Sequence, residues 1–441
     1  MYFRKSSPHS QRSSSKTVKP SQRVMNNINT IDDLTDVVLV EILCRLPSSK
    51  FVVQCKCVSK RWCTLISDSY FVDRFTSLQI EYHAQTPITL INSRGEEFLD
   101  KMSKPLNLFL KKVKDFHGLD KQPVVVGAYN DLLLCCVGTY YQRLYYICNP
   151  YIQQWIALPA PPPCYKKIKT LPEGFMCDLP YYKYAKEDAK GHTVQLNPQY
   201  GCRVVRLISD HSKLSSNEFK VKIFSSETGE WRESVVSSPR DISLDYIDYN
   251  TCYVHASNRM LYWMGYHNFV LSFDPFLINN SVRTSSRDGD EDIIDQSYKC
   301  HLVDIKFNSD SLSVECLGVH GRCLKIYAYD EDTNTLLVLD LNGDEEFING
   351  GFENFFLENS KRMEMEMINP EENPMESIIL DPNNDEICYL TTTDGEPFMF
   401  NLGTKISSRM DDKITEDLCS YCFPYVLTCW PTPVPRLPQH I

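Results

Sequence analysis

The stretch Asp36 to Leu46 reads DVVLVEILCRL, and as a helix it has an apolar stripe of Val38, Leu39, Ile42, Leu43 and Leu46. Residues at these offsets share one face at 3.6 residues per turn. Val37, Val40 and Cys44 then fall on the opposite side, leaving mainly Asp36, Glu41 and Arg45 as polar complement. A helix apolar nearly all round expects burial on both sides. Pro47 ends it, because its ring removes a donor and disfavours helical geometry at Leu46. Ser48 or Ser49 can cap a second helix over Phe51 to Val58. Val58, Trp62, Leu65 and Ile66 mark a third amphipathic element, and Phe71, Phe75 and Leu78 repeat the pattern. A helical block this short has a marginal core of its own, so its surplus apolar surface predicts docking on something else.

These residues carry a resemblance. Leu34-Thr35-Asp36, Glu41-Ile42-Leu43, Arg45-Leu46-Pro47, Cys57-Val58-Ser59-Lys60-Arg61-Trp62 and Leu65-Ile66-Ser67-Asp68 together resemble the F-box of plant F-box proteins. The resemblance implies docking to the Skp-family adaptor, and through it to a cullin, in a ubiquitin ligase. The adaptor-binding positions it implies are Leu34, Thr35, Leu39, Ile42, Leu43, Leu46, Pro47, Cys57, Val58 and Trp62. The family usually has Pro where Thr35 stands. Proline pre-organises a helix start, whereas Thr can cap it, so weaker rigidity is expected here. A helical hairpin packed on the rest of the chain is the alternative.

The 441 residues suffice for a small and a large domain, and 42% hydrophobic with 12% aromatic content is that of a globular chain. A formal charge of -11 argues against nucleic acid as a partner, since phosphate binding relies on a basic surface. Residues 1–30 hold Arg4, Lys5, Arg12, Lys16, Lys19 and Arg23 without an acid and are Ser-rich, which predicts a disordered basic arm. A transit peptide or nuclear import signal shares that composition. With no signal peptide and no apolar run long enough to span a bilayer, the expected compartment is the cytoplasm or nucleus, with no membrane partner and the 18 cysteines reduced. Cys419 and Cys422 form a lone Cys-x-x-Cys without a second ligand pair, so neither metal nor cofactor is expected.

From Gln79 onward, short β-branched and aromatic runs alternate with turn residues, as in strands: Ile88 to Ile91, Val124 to Val126, Leu132 to Val137, Leu144 to Cys148. A weak repeat appears in Leu144 to Pro159 and Phe219 to Val236, each a strand, a turn and a strand bearing Trp155 or Trp231. Fainter copies at Val270 to Phe276, Leu324 to Leu341 and Pro397 to Thr404 place turns near Asn149, Ser225, Asp274, Asp330 and Asn401. Intervals of roughly 50 residues plus insertions fit the blades of a kelch-like propeller, with room for roughly six to eight. Pro159 to Pro198, Asn279 to Gln296 and Asn342 to Asn373 lack strand alternation and read as loops, either binding or disordered, with Tyr165, Tyr181, Tyr182 and Tyr184 the best contact candidates.

This region also resembles the F-box-associated domain of plant F-box proteins, through Asp131 to Cys136, Ile147 to Pro150 with Trp155, Phe224 to Trp231, and Trp430-Pro431-Thr432-Pro433. Where that family often has Asn-Gly, this chain has Asn130-Asp131, so the turn there can differ in type. The expected fold class is α+β multidomain: basic arm 1–30, all-α F-box 31–78, mainly β kelch-like propeller 79–430, tail 431–441.

No Gly-x-Ser-x-Gly elbow, His-Glu-x-x-His helix or P-loop accompanies the ten scattered histidines, and His255, His267 and His301 read as structural. The expected function is therefore that of a non-catalytic receptor which brings a protein target to a ubiquitin ligase by proximity. A propeller enzyme with a helical extension, or an F-box protein that binds the adaptor without substrate turnover, are the alternatives.

Overall fold

A computed structural model describes residues 30–82, 88–92, 106–138, 143–162, 172–178, 182–187, 191–196, 200–208, 215–244, 247, 254–257, 259–265, 269–277, 298–305, 312–320, 323–330, 335–341, 361–364, 375–381, 384, 386–392, 397–404, 406–409, 422–426 and 430–438. Residues 1–29 of the basic arm, Tyr165, Tyr181, His267, Cys419 and the segment Asn279 to Gln296 lie outside them.

Four helices open the fold: α1 Asp36–Leu43, α2 Ser49–Cys55, α3 Lys60–Ser67 and α4 Ser69–Tyr82. Their shared core holds Leu39, Val40, Leu43, Cys44, Val52, Trp62, Ile66, Phe71, Val72 and Phe75. Two sequence expectations are corrected. The first helix ends at Leu43 rather than Leu46, because Cys44 to Ser48 turn ahead of the second helix. Its inward stripe is Leu39, Val40, Leu43 and Cys44, one position on from the predicted one.

The β region is propeller-like. Blade 1 comprises Val124–Tyr129, Leu132–Val137, Leu144–Asn149 and Gln154–Ala157, all antiparallel. Blade 2 comprises Gly174–Cys177, Cys202–Ile208, Ser216–Ser225 and Glu230–Ile242, with Tyr298–Lys299 added parallel at its outer edge. Blade 3 is His255–Ser257, Met260–Gly265, Phe269–Phe273 and His301–Asp304; blade 4 is Leu312–His320, Cys323–Asp330, Thr335–Leu341 and Lys361–Glu364; blade 5 is Met375–Leu380, Ile387–Thr392, Pro397–Asn401 and Ile406–Arg409. A further sheet pairs Ile88–Asn92 with Cys422–Val426, so segments from either end of the β region share it. The strand Cys422–Val426 neighbours the first strand of blade 1, and the first strands of blades 1 to 5 are then neighbours in turn.

Period-two alternation explains how the blades stack. In Leu132–Val137, Leu133 and Cys135 point into the core shared with a fifth helix, while Leu132, Leu134 and Cys136 point into the core shared with blade 2. Both faces are buried, so the strand reads as an unbroken apolar run. Gly174 lets the first strand of blade 2 approach blade 3: a Cβ there would lie 2.6 Å from Leu261 Cδ1 and 2.9 Å from Trp263 Cζ2.

Asparagine or aspartate ends the third strand of blades 1, 3 and 5 by accepting backbone N–H groups two or three residues on. Asn149 Oδ1 takes Tyr151 at 3.0 Å, Asp274 Oδ1 takes Phe276 at 2.7 Å, and Asn401 Oδ1 takes Gly403 at 2.9 Å. These side chains imitate a backbone turn, which is why the repeat is legible there. The copy at Leu324 to Leu341 is one strand out of step, being the hairpin of the second and third strands, because residues 342–360 separate the third from the fourth.

Other expectations also change. A fifth helix, α5 Leu106–His117, lies in a region expected to be mostly β, and it packs Leu106, Phe109, Leu110 and Val113 on blade 1. Pro159 to Pro198 contains the first strand of blade 2 and the hairpin Tyr182–Glu187 with Gly191–Leu196, and Asn342 to Asn373 contains Lys361–Glu364. The stretch Leu78 to Tyr82 completes α4, and the partner of Cys422–Val426 is Ile88–Asn92. Trp430 leaves the sheet and enters the helical core.

Candidate functional site

The helical block has a core that Trp430 completes, and it still shows apolar side chains to solvent. On α1, Val37 is 72% exposed, Val38 45% and Ile42 44%; Val38 and Ile42 are four residues apart and share a face. Ile31, Phe51 and Val58 are exposed as well. Isolated exposed apolar residues need no explanation, whereas several on one small helical block are the kind of surface that contiguous interaction sites are built from.

Ion pairs hold the face in place. Arg61 on α3 reaches the start of α1, donating to Asp36 Oδ1 through Nη2 at 2.7 Å and Nε at 2.9 Å, and to the Leu34 carbonyl. Arg74 on α4 donates to both carboxylate oxygens of Glu41, at 3.0 and 3.3 Å, and Arg45 adds a bond at 2.9 Å. Hydrogen bonding from Arg74, then from Arg45, holds the Glu41 carboxyl below the usual range. Behind this surface, burial pushes the Cys44 thiol up to about 12, so it acts as a small hydrophobe. Ser59 caps α3 by accepting from Trp62 N at 3.2 Å; Thr35 stands at the N-cap of α1 without a side-chain capping bond.

The residues named from sequence divide into layers. Thr35, Ile42, Pro47, Cys57 and Val58 are exposed, Leu34 and Leu46 half-buried, and Leu39, Leu43 and Trp62 interior. Leu46 packs against the core and its carbonyl accepts from Gln79 Nε2 at 3.3 Å. Sequence reasoning missed Val37 and Val38, whose outward placement depends on which of two adjacent stripes on α1 turns inward, and Phe51 on α2. Among the described residues no group of three or more His, Cys, Asp or Glu could hold a metal ion, and no described helix is long and apolar enough to cross a membrane. The contact candidates Tyr182 and Tyr184 lie on the hairpin that follows the first strand of blade 2.

Comparison with known proteins converges on the same two parts. Residues 31–74 match the F-box domain model. Residues 82–284 match the model described as F-box protein At3g26010-like, beta-propeller. The chain is 26% identical over 234 residues to F-box protein At5g49610 of Arabidopsis thaliana, covering 52% of this chain and 57% of that one. It is 27% identical over 229 residues to F-box protein At3g26010 of the same plant, covering 50% and 47%. A putative F-box/kelch-repeat protein, At4g22430, also of Arabidopsis thaliana, is 31% identical over 146 residues, covering 31% and 33%. The chain thus spans about half the length of the first two relatives.

Proposed function

We propose that this chain, which carries an F-box domain at its N-terminus and the β-propeller of F-box proteins behind it, is the substrate-recognition subunit of a Skp–cullin–F-box type ubiquitin ligase. The observation that carries the reading is the apolar surface of Val37, Val38, Ile42, Phe51 and Val58, left outside a helical core that is already complete. An adaptor of the Skp family is the partner that would cover it, joined at its edge by Leu34, Thr35, Pro47 and Cys57. Leu39, Leu43, Leu46 and Trp62 serve by holding that surface in shape. The blade spacing supports a kelch-like type, and the propeller's loops hold the target. This subunit contributes proximity, raising the effective concentration of a target lysine near the charged ubiquitin carrier, and the bond-forming step belongs to other subunits. The reading places its action in the cytosol or nucleus.

Co-purification with the adaptor tests the proposal. The intact chain is expected to retain the adaptor, and Val38→Asp with Ile42→Asp to lose it while keeping native helicity, because a charge in a desolvated interface costs several kcal/mol. Retention by the double variant overturns it.

A further inference from the structure

The turn at Asn130-Asp131 departs from the Asn-Gly of related turns, and the structure shows what the departure supplies. Only Asn130 takes a positive φ, of 52°, so Asp131 needs no glycine and its side chain is available. That carboxylate is buried and accepts from Thr432 N at 2.6 Å, while the Thr432 carbonyl accepts from Asn149 Nδ2 at 2.7 Å. The Pro433 carbonyl accepts from the Tyr200 hydroxyl, and Val434 N donates to Gln154 Oε1 at 3.4 Å. Val434 and Leu437 pack on the core between blades 1 and 2.

Two residues earlier the same segment enters the helical block. Trp430 is buried there, its ring centroid 6.1 Å from that of Phe71 and 5.8 Å from that of Phe75, with Lys56 Nζ 5.6 Å from its centre. Prolines at 431, 433, 435 and 438 pre-set φ, so little entropy is lost on ordering the segment. A second tie lies on α2: the Tyr151 hydroxyl oxygen accepts from Lys50 N at 2.7 Å and Ser49 Oγ at 3.1 Å. One tie leaves a body free to pivot, whereas two on different helices fix its direction.

We propose that Trp430–Pro438 is a strap that sets the orientation of the F-box on the propeller, with Trp430 and Thr432 as positioning residues for ubiquitin transfer. The inference rests on the receptor reading above. Its consequence is that the target's lysines stand at a set distance and bearing from the ligase, instead of sampling a wide arc.

The test uses the full chain with a protease site in place of residues 427–429, so that the strap can be cut loose after folding, and an acceptor-lysine peptide inserted within residues 283–296 as surrogate target. Small-angle scattering of the adaptor complex reports orientation, and mass spectrometry of ubiquitinated lysines in the reconstituted ligase reports reach. Cutting followed by removal of the strap peptide, or Trp430→Ala, is expected to leave adaptor affinity within about twofold, broaden the scattering envelope, and lower the surrogate's share of ubiquitin at least threefold as other lysines take it up. Trp430→Phe, which keeps an aromatic ring against Phe71 and Phe75, is expected to restore both. Unchanged scattering and an unchanged lysine pattern after cutting overturn the strap. Failure of the uncut chain to bind the adaptor would overturn the receptor reading instead, and the scattering of the free chain before and after cutting would still decide the strap.

Discussion

Asp131 Oδ2 accepts from Asn149 Nδ2 at 2.8 Å, joining the first and third turns of blade 1 beneath the C-terminal segment. Burial raises the Asp131 pKa, and hydrogen bonds from Thr432 and Asn149 only partly offset it. A raised carboxyl pKa means that the native state holds its proton over a range where the unfolded state has lost it. The contribution of Asp131 is therefore largest at low pH and declines as pH rises from about 4 through its native value, by at most about 1.4 kcal/mol per pH unit. Asp131→Asn is expected to flatten that slope while its amide oxygen still accepts from Thr432. Asp131→Ala is expected to destabilise by about 1–3 kcal/mol by leaving buried donors unmet. Chemical unfolding of the three proteins across the acidic range checks both.

Adjacent residues on α1 should behave oppositely. Leu43 is 3% exposed and lies in the helical core, so Leu43→Asp is expected to unfold the block, costing about 3–5 kcal/mol, and to lose the adaptor only as a consequence. Ile42→Asp places its charge in water in the free protein and is expected to change stability by no more than about 0.5 kcal/mol while abolishing adaptor binding. Thermal melts by circular dichroism, run beside a pull-down, separate the two.

Comparison of these residues shows what was legible in the sequence. That α1 carries more apolar surface than one core can use follows from its composition; which side faces in does not. The stripes Val38-Leu39-Ile42-Leu43 and Leu39-Val40-Leu43-Cys44 are offset by one position and both wholly apolar, and packing within the helical block selects between them. Blades 1, 3 and 5 show in the sequence because local Asn or Asp turns mark them, and blade 2 shows through the hairpin of Phe219 to Val236, turned at Gly229 with a φ of 68°. The fifth helix carries its signal at Leu106, Phe109, Leu110 and Val113, a short amphipathic stripe set among strands. Nothing local announces that Thr432 will meet Asp131 across 301 positions.

Between blades 1 and 2, Glu173 is buried and accepts from Arg143 and, at 2.9 Å, from the Tyr145 hydroxyl. Removing one partner of a buried pair leaves the other charge unmet, so Glu173→Ala is expected to cost about 3–5 kcal/mol. Exchanging Lys220 and Glu233 for alanine removes an exposed pair and should cost less than about 1 kcal/mol. Urea titrations give both values, and equal costs would show that the buried pair contributes no more than an exposed one.

The sheet of Ile88–Asn92 with Cys422–Val426 makes the last strand structural, a claim that two truncations can isolate from the strap. A chain ending at Ser420 loses both the strand and the strap; one ending at Thr428 loses the strap alone. In the first, Ile88–Asn92 loses its partner, Tyr425 is lost from the core it shares with Ile91, and the bond from Val426 N to the Asn130 carbonyl disappears. Unpaired strand edges beside exposed apolar surface recruit other chains. The shorter chain is therefore expected to elute as aggregate in size-exclusion chromatography, and the longer one as monomer with a modestly lowered melting temperature. If the chain ending at Ser420 elutes as a stable monomer, the strand is dispensable and the propeller holds together without its closing sheet.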